Sequence, residues 1–528
     1  MFECGHGVPL IPESSGLPVS LARFAISLAG LGLIVGCATT TGPYRASTAS
    51  APDTAALTQK RPRSVSVRID EAVIHQTIEG FGATHNEYFN LVTREDLMGS
   101  LRERVIESVY GQVGITMGQI EVGPYETFDP SNYTTANDND DPFTYSWRAF
   151  NFVRSGGQKT GIVDRAMGYG FDNFTIHSGT NVRWSDPWMA EVRRRNYQLY
   201  LQEMAENVVA PLVYWREKFG IVPRWHHLFN EPTTGNRELA VYDVQEVVDL
   251  VKVVGARFRR EGFKDIRLVV ASEETEEASL ASARAILADP EARRYVGAIS
   301  YHTYPYGSVY SNVNRILETS GVGEPDAGRI EVRNELRDLA RQYGLQVWMT
   351  EVSNGQAGRF DSLLGRAIHI HDELLYADAS SYWAMYQAWD THAPHGTCGE
   401  DCPVIFDRET NTVTLTGIGY AIGHYARWIR RGVVRVDAKS DDPMVLATAF
   451  RDEAQKRIIL VVINNHHEKV TLDAQANRPV TIRGTVIGEQ SSAEGFWVPI
   501  DAAALREANG FTAILPGRSV TSFSAAFH

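Results

Sequence analysis

The chain has 528 residues, a formal net charge of −13, 43% hydrophobic and 22% charged residues, and 10% aromatics. That is ordinary globular composition, with length for two to four domains or for one large barrel plus a smaller module. The acidic balance excludes a general nucleic-acid binder, whose footprint is a basic excess, and the spacing of Cys4, Cys37, Cys398 and Cys402 excludes a paired-ligand zinc framework.

The first element is an export signal over residues 1–37. Arg23 supplies positive charge, Phe24 to Gly36 form an apolar stretch too short to span a bilayer, and small residues follow. Ile34 to Cys37, IVGC, resembles the bacterial lipoprotein signal, in which the cysteine carries the lipids after cleavage. The expected location is therefore the bacterial cell envelope, with the membrane as a partner through a lipid anchor on Cys37. Residues 38–62, rich in Thr, Ala and Ser with three prolines, read as a flexible tether.

Ser64 to Asp70, SVSVRID, is a strand ahead of the main repeat. Residues 63–77 are expected to pair with strands at the other end of the chain. From residue 78 to 426 the pattern alternates strand and helix. Tyr197, Leu201, Met204, Val208 and Leu212 recur at helical spacing, and Gly220 stops that helix. Val244, Val247, Val248, Val251 and Val254 repeat the device before Gly262, and a third helix ends at Gly344. Eight strands are predicted, beginning near Ile78, Gly114, Asn173, Arg224, Ile266, Ala298, Gln346 and Ser381. Eight such units predict an α/β fold, a (β/α)8 TIM barrel, with a doubly wound open sheet as the alternative; no Gly-rich phosphate loop follows the first strand. Residues 427–528 hold short strands between turn residues and predict a β-sandwich, completed by the N-terminal strand.

Barrel chemistry gathers where strands end. The fourth strand ends at Asn230 and Glu231, and the seventh, LQVWMTE, ends at Glu351. A barrel mouth brings such ends within reach of each other. Two carboxylates at one cavity are the minimum equipment for glycoside hydrolysis, one protonated and one ionised.

Several stretches resemble glycoside hydrolase family 30. Asn230 to Pro232 with Glu351 looks like the wider clan of retaining barrel glycosidases. QTIEGFGAT (Gln76 to Thr84), YAIGHYARWIRRGVVRVD (Tyr420 to Asp437) and LPGRSVTSF (Leu515 to Phe523) are similar to the family's barrel entry, crossing and last sandwich strand. The resemblance covers roughly residues 64–528. It implies a retaining β-glycosidase acting on a polysaccharide or oligosaccharide, with Glu231 as acid/base and Glu351 as nucleophile. It further implies Asn230 at the sugar 2-hydroxyl and one of Tyr304, Tyr301 or His302 against Glu351. Strand two departs from the family, with Thr116 and Met117 where an arginine is usual.

Substrate contacts are also expected from His85, His302, Tyr304, Trp184 and Trp383, the last as the floor of the pocket. His226 and His227, adjacent on a strand, face opposite sides. Glu273 and Glu274 read as a solvated acidic turn, and Glu121 is a rival strand-end acid. Asp138, Asp140 and Asp141 lie in a polar loop that lacks the EF-hand pattern. No metal or other cofactor is expected, and Cys398 and Cys402 are candidates for a disulfide. The competing reading is a non-catalytic carbohydrate-binding lipoprotein on the same scaffold.

Overall fold

The computed structural model describes residues 63–83, 99–121, 139–147, 162–171, 173–177, 187–234, 242–304, 326–352, 359–392, 402–477, 486–504 and 509–527. After β1 (Arg63–Thr77), eight parallel strands close into a barrel: β2 (Gly80–Ala83), β3 (Met117–Glu121), β4 (Asn173–His177), β5 (Trp225–His227), β6 (Arg267–Ala271), β7 (Val296–His302), β8 (Gln346–Glu351) and β9 (Ala379–Ala384). Closure runs through β2 and β9, where Gly80 pairs with Ser381. The glycines of β2 are there for close approach. A Cβ on Gly82 would lie 1.6 Å from the Met117 carbonyl oxygen, so no side chain fits between β2 and β3.

The helices form where the apolar spacing puts them. Tyr197–Phe219 starts on Asn196, whose side chain accepts from the Leu199 amide, and ends on Gly220 in the left-handed conformation. Ala327–Tyr343 ends the same way on Gly344. In Val244–Arg260 the buried stripe is Val247, Val248, Val251 and Val254, while Val244 at the first turn is 41% exposed.

A small sheet follows the barrel: β10 (Ala388–Asp390), β11 (Val404–Asp407) and β12 (Thr412–Leu415). The second module comprises β13 (Val434–Ser440), β14 (Val445–Asp452), β15 (Arg457–Asn464), β16 (Val470–Ala476), β17 (Val486–Ser492), β18 (Gly495–Ala504), β19 (Gly510–Leu515) and β20 (Ser519–Ala526). The N-terminal strand completes it: β1 is antiparallel to β13 and parallel to β16, so the nine strands close into one ring. Its interior is a separate apolar cluster including Val65, Val67, Leu460, Leu472 and Phe523. The alternate residues Phe450, Ile459, Val461, Ile463 and Val520 join the barrel's core instead. Period-two strands thus serve two cores at once. The last helix, Gly417–Ala426, lies at this seam. There His424 Nδ1 and Nε2 meet the hydroxyls of Ser522 (2.9 Å) and Ser491 (2.8 Å).

Three buried histidines make this architecture acid-sensitive. Burial lowers His369 and His371 to about 4 and His424 to about 3. Each is neutral when folded and takes up a proton near pH 6.5 when unfolded. Their contribution is present above that value and is lost as pH falls through the folded values. The thermal midpoint is therefore expected to fall between about pH 6.5 and pH 4, in scans at constant ionic strength; a flat midpoint there contradicts the assignment.

Among the described residues no helix is long and apolar enough to cross a membrane. Cys37 and Cys398 lie outside the described residues. Cys402 is buried and disulfide-bonded.

Candidate active site

The barrel interior is built in layers by alternation along the strands. Met117, Trp225, Val269, Ala298, Trp348 and Trp383 form an apolar layer. Above it lies a polar one. His227 bonds Gln119 through Nδ1 and Ser272 through Nε2, and the Ser272 hydroxyl meets those of Ser300 and Thr350. His226, on the opposite side of β5, packs edge-on against Phe258 outside the barrel. Trp383 is fully buried, with its indole N–H donating to the Ser381 hydroxyl at 2.7 Å. This corrects the expectation that its ring floors the pocket. It packs against Trp348 and His227, and so supports the polar layer from below.

At the mouth, two local irregularities aim the acids. Along β8, Trp348 and Thr350 face inward, so regular alternation sends Glu351 outward. The register with β7 shifts there: Tyr301 pairs with Met349 but His302 pairs with Glu351. The extra residue is a β-bulge, and it turns Glu351 into the mouth. Glu231 is placed by its backbone, with φ of 47° in the left-handed region. That conformation is costly for a non-glycine residue and persists where the surroundings hold it. Here the Glu231 amide donates to the Ser272 carbonyl at 2.8 Å.

Glu231, His302 and Glu351 each bring one donor atom within 4.8 Å of the others. His302 Nδ1 lies 3.0 Å from Glu231 Oε1, and the Tyr304 hydroxyl donates to Glu351 Oε1 at 3.0 Å. Burial, then the charges of Glu351 and Glu231, holds the Tyr304 phenol far above its ordinary value, so it stays a donor. Among the three residues proposed to touch Glu351, the geometry selects Tyr304. Tyr301 points outward to Glu373, and His302 serves Glu231. The Glu351 residue is 4% exposed and the Glu231 side chain 13%, so one acid is nearly closed off while the other is more open to solvent.

Asn230 is half-buried in the same turn as Glu231. His85, Trp184 and Asp138 lie outside the described residues, as does the Glu121 side chain. Asp141 spends its oxygens on the Phe143 amide and the Thr144 hydroxyl, as in an ordinary turn. The reading of Glu273 and Glu274 as a solvated turn is half corrected. Glu274 is exposed, but Glu273 is fully buried, and one of its oxygens accepts from the amides of Thr233 (2.9 Å) and Thr234 (3.2 Å) and from the Thr234 hydroxyl (3.0 Å). No periodicity signals that burial. The pairing of acids at consecutive strand ends, Glu231 and Glu273, is the only hint in the sequence.

Chemically, the arrangement brings oxygens of two carboxylates within 4.8 Å of each other, each acid with its own hydrogen-bond partner, above a layer of polar groups. No family model matches the chain. Over 194 residues it is 26% identical to the glucuronoxylanase XynC of Bacillus subtilis, a match covering 34% of this chain and 39% of that protein. The chain thus spans about two fifths of the length of the curated relatives it matches. Among solved structures, the catalytic domain of family 30 xylanase C from Talaromyces cellulolyticus superposes with a TM-score of 0.63 at 16% identity, over 87% of this chain and 100% of that one. The endo-β-1,6-glucanase BT3312 superposes at 0.61 with 16% identity, over 88% and 94%. At such identities the structural likeness is one of fold.

Proposed function

We propose, from the premise that this chain is related to glycoside hydrolase family 30, that it hydrolyses β-glycosidic bonds with retention of anomeric configuration. The observation that carries this is the separation of the acids. Oxygens of Glu231 and Glu351 come within 4.8 Å, close to the roughly 5–5.5 Å of double displacement and short of the ~6.5 Å at which inversion begins.

In this reading Glu351 attacks the anomeric carbon while Glu231 gives its proton to the departing oxygen. The glycosidic bond breaks and a glycosyl ester forms on Glu351. Glu231, now ionised, takes a proton from water, whose oxygen displaces Glu351 and restores both groups. The Tyr304 hydroxyl holds Glu351 in line without removing its charge, and His302 holds Glu231. Asn230 is assigned to the sugar 2-hydroxyl.

The backbone class to try first is xylan, because the sequence relative is a glucuronoxylanase; β-1,6-glucan comes second, for the fold neighbour that acts on it. The test is an NMR time course on xylooligosaccharides. The β-anomer is expected as first product, and an α-anomer overturns the mechanism. Absence of cleavage across a broad glycan panel, with binding retained, favours a carbohydrate-binding protein. A second reading takes Glu231, His302 and Glu351 as a metal-binding trio. It requires activity to be lost on dialysis against EDTA and restored by a divalent cation.

Attachment to the cell envelope through a lipidated Cys37 belongs to the same proposal. It is tested by palmitate labelling, which Cys37→Ala should abolish.

A further inference from the structure

The last residues of β6 and the turn after it, Ala271 to Glu274, are tied to three members of the candidate site, Glu231, His302 and Tyr304. The Glu231 amide donates to the Ser272 carbonyl (2.8 Å), the His302 amide to the Glu273 carbonyl (3.1 Å) and the Tyr304 amide to the Glu274 carbonyl (3.1 Å). Ala271 and Ser272 hold left-handed backbone, φ 76° and 53°, next to Glu231 at 47°. Three consecutive carbonyls are thereby fanned toward two neighbouring strand ends. Left-handed conformations are costly in non-glycine residues, so something must fix them.

The Glu273 side chain is the strongest tie. It is fully buried, and one carboxylate oxygen gathers three donors from the two residues that follow Pro232. The Thr234 hydroxyl is bound in turn by the Glu274 amide at 3.1 Å, and the Glu273 amide is bound by Ser279 in the following helix, Glu276–Ala288, at 3.0 Å. Glu231 thus sits between two anchors: its own amide on Ser272, and the Thr233–Thr234 turn on Glu273. Burial pushes the Glu273 carboxyl up, and the bonds from Thr233 and Thr234 pull against that.

We propose that Glu273 is a positioning residue for Glu231: it touches no reacting atom, and it sets the backbone from which the acid/base reaches the leaving oxygen. The inference rests on the acid/base reading of Glu231. A misplacement of about 1 Å in such a group is enough to cost on the order of 10²-fold in rate.

The test compares Glu273→Ala and Glu231→Ala on xylopentaose, whose leaving group needs a proton, and on dinitrophenyl β-xylobioside, whose leaving group does not. Glu273→Ala is expected to lower kcat on xylopentaose by about 10²-fold. KM should change little, the aryl substrate should lose far less, and azide should restore part of that loss. Glu273→Gln keeps an acceptor oxygen and should recover most of the activity. Thr234→Val removes one of the three donors from a solvent-exposed position; it should show the same leaving-group bias, several-fold in size. It also serves if Glu273→Ala fails to fold. Equal losses on both substrates, or losses that follow only the folded fraction by circular dichroism, overturn the positioning role. If Glu231→Ala shows the leaving-group bias and neither the Glu273 nor the Thr234 variants do, positioning alone falls. If Glu231→Ala lacks the bias, the acid/base reading falls and the proposal with it.

Discussion

Glu351→Gln is expected to abolish hydrolysis while leaving the fold intact. The substitution is isosteric, and the amide can still accept from Tyr304, whose phenol stays protonated beside it. What disappears is the negative charge that the proposed mechanism directs at the anomeric carbon. Among the described neighbours none replaces it: Glu231 is assigned to the leaving group in the proposed mechanism, and Tyr304 and His302 offer no anion. Loss of a nucleophile from a set that acts as a unit costs about 10⁴-fold or more in kcat. Steady-state rates on xylooligosaccharides measure this, with the thermal midpoint as control for folding. The midpoint itself should hold, because the amide fills the same nearly closed-off space and keeps the Tyr304 bond. Binding of an uncleaved oligosaccharide, measured by calorimetry, should persist in the variant. Activity within about tenfold of wild type would remove Glu351 from the mechanism, and with it the retaining assignment.

The parts of this molecule that could be read from its sequence are those governed by periodicity. The eight barrel strands fall close to where the alternation places them, helped by helices such as Tyr197–Phe219 and Ala327–Tyr343 that end on a local chemical signal, Gly220 and Gly344. The N-terminal strand of the sandwich was legible for the opposite reason: SVSVRID alternates but comes too early for the barrel. The two acids were legible because strand ends are where a barrel exposes function. What was hidden depends on departures from periodicity or on partners far away in the chain. The bulge that swings Glu351 inward is a register shift against β7, and nothing in QVWMTE announces it. The burial of Glu273 follows from Thr233 and Thr234, about forty residues earlier. Trp383 sits in the apolar layer because the residues above it are polar, and one strand's sequence does not say at which depth its tryptophan lies. The β10–β12 sheet leaves no mark in the sequence, since its strands are too short to show a pattern.

The largest effect on stability is expected outside the mouth, at Arg333. Its guanidinium is fully buried between the barrel and its outer helices. It donates to Glu373 at 2.6 Å, and Glu276 lies 3.1 Å away. Glu373 also receives the Tyr301 hydroxyl from β7 and faces His369 Nε2 at 2.9 Å, and His369 Nδ1 meets the Tyr382 hydroxyl from β9. Burial works against the charge on Glu373, but Arg333 and His369 outweigh it and bring the carboxyl down to about 2. Arg333→Met keeps the volume and removes the cation. Buried Glu373 is then left with only the neutral donors Tyr301 and His369, while Glu276 keeps Arg329 at 3.3 Å. Removing one partner of such a pair costs about 3–5 kcal/mol, far more than the intact pair contributes over an apolar replacement. Denaturant unfolding should show that loss at neutral pH and less of it near pH 4, where the orphaned Glu373 carboxylate can take up a proton. The double variant Arg333→Met, Glu373→Leu removes both charges at the core of the network, so it should be more stable than Arg333→Met alone. It should still fall short of wild type, because Tyr301 and His369 lose their shared acceptor. A double variant no better than the single one would mean that the network stabilises through packing, and that its charges are incidental. Tyr301 is the residue before His302 on β7, so the same variants also report on the site. If the network fixes that strand, they should lower kcat on xylooligosaccharides at temperatures where the variant is still fully folded.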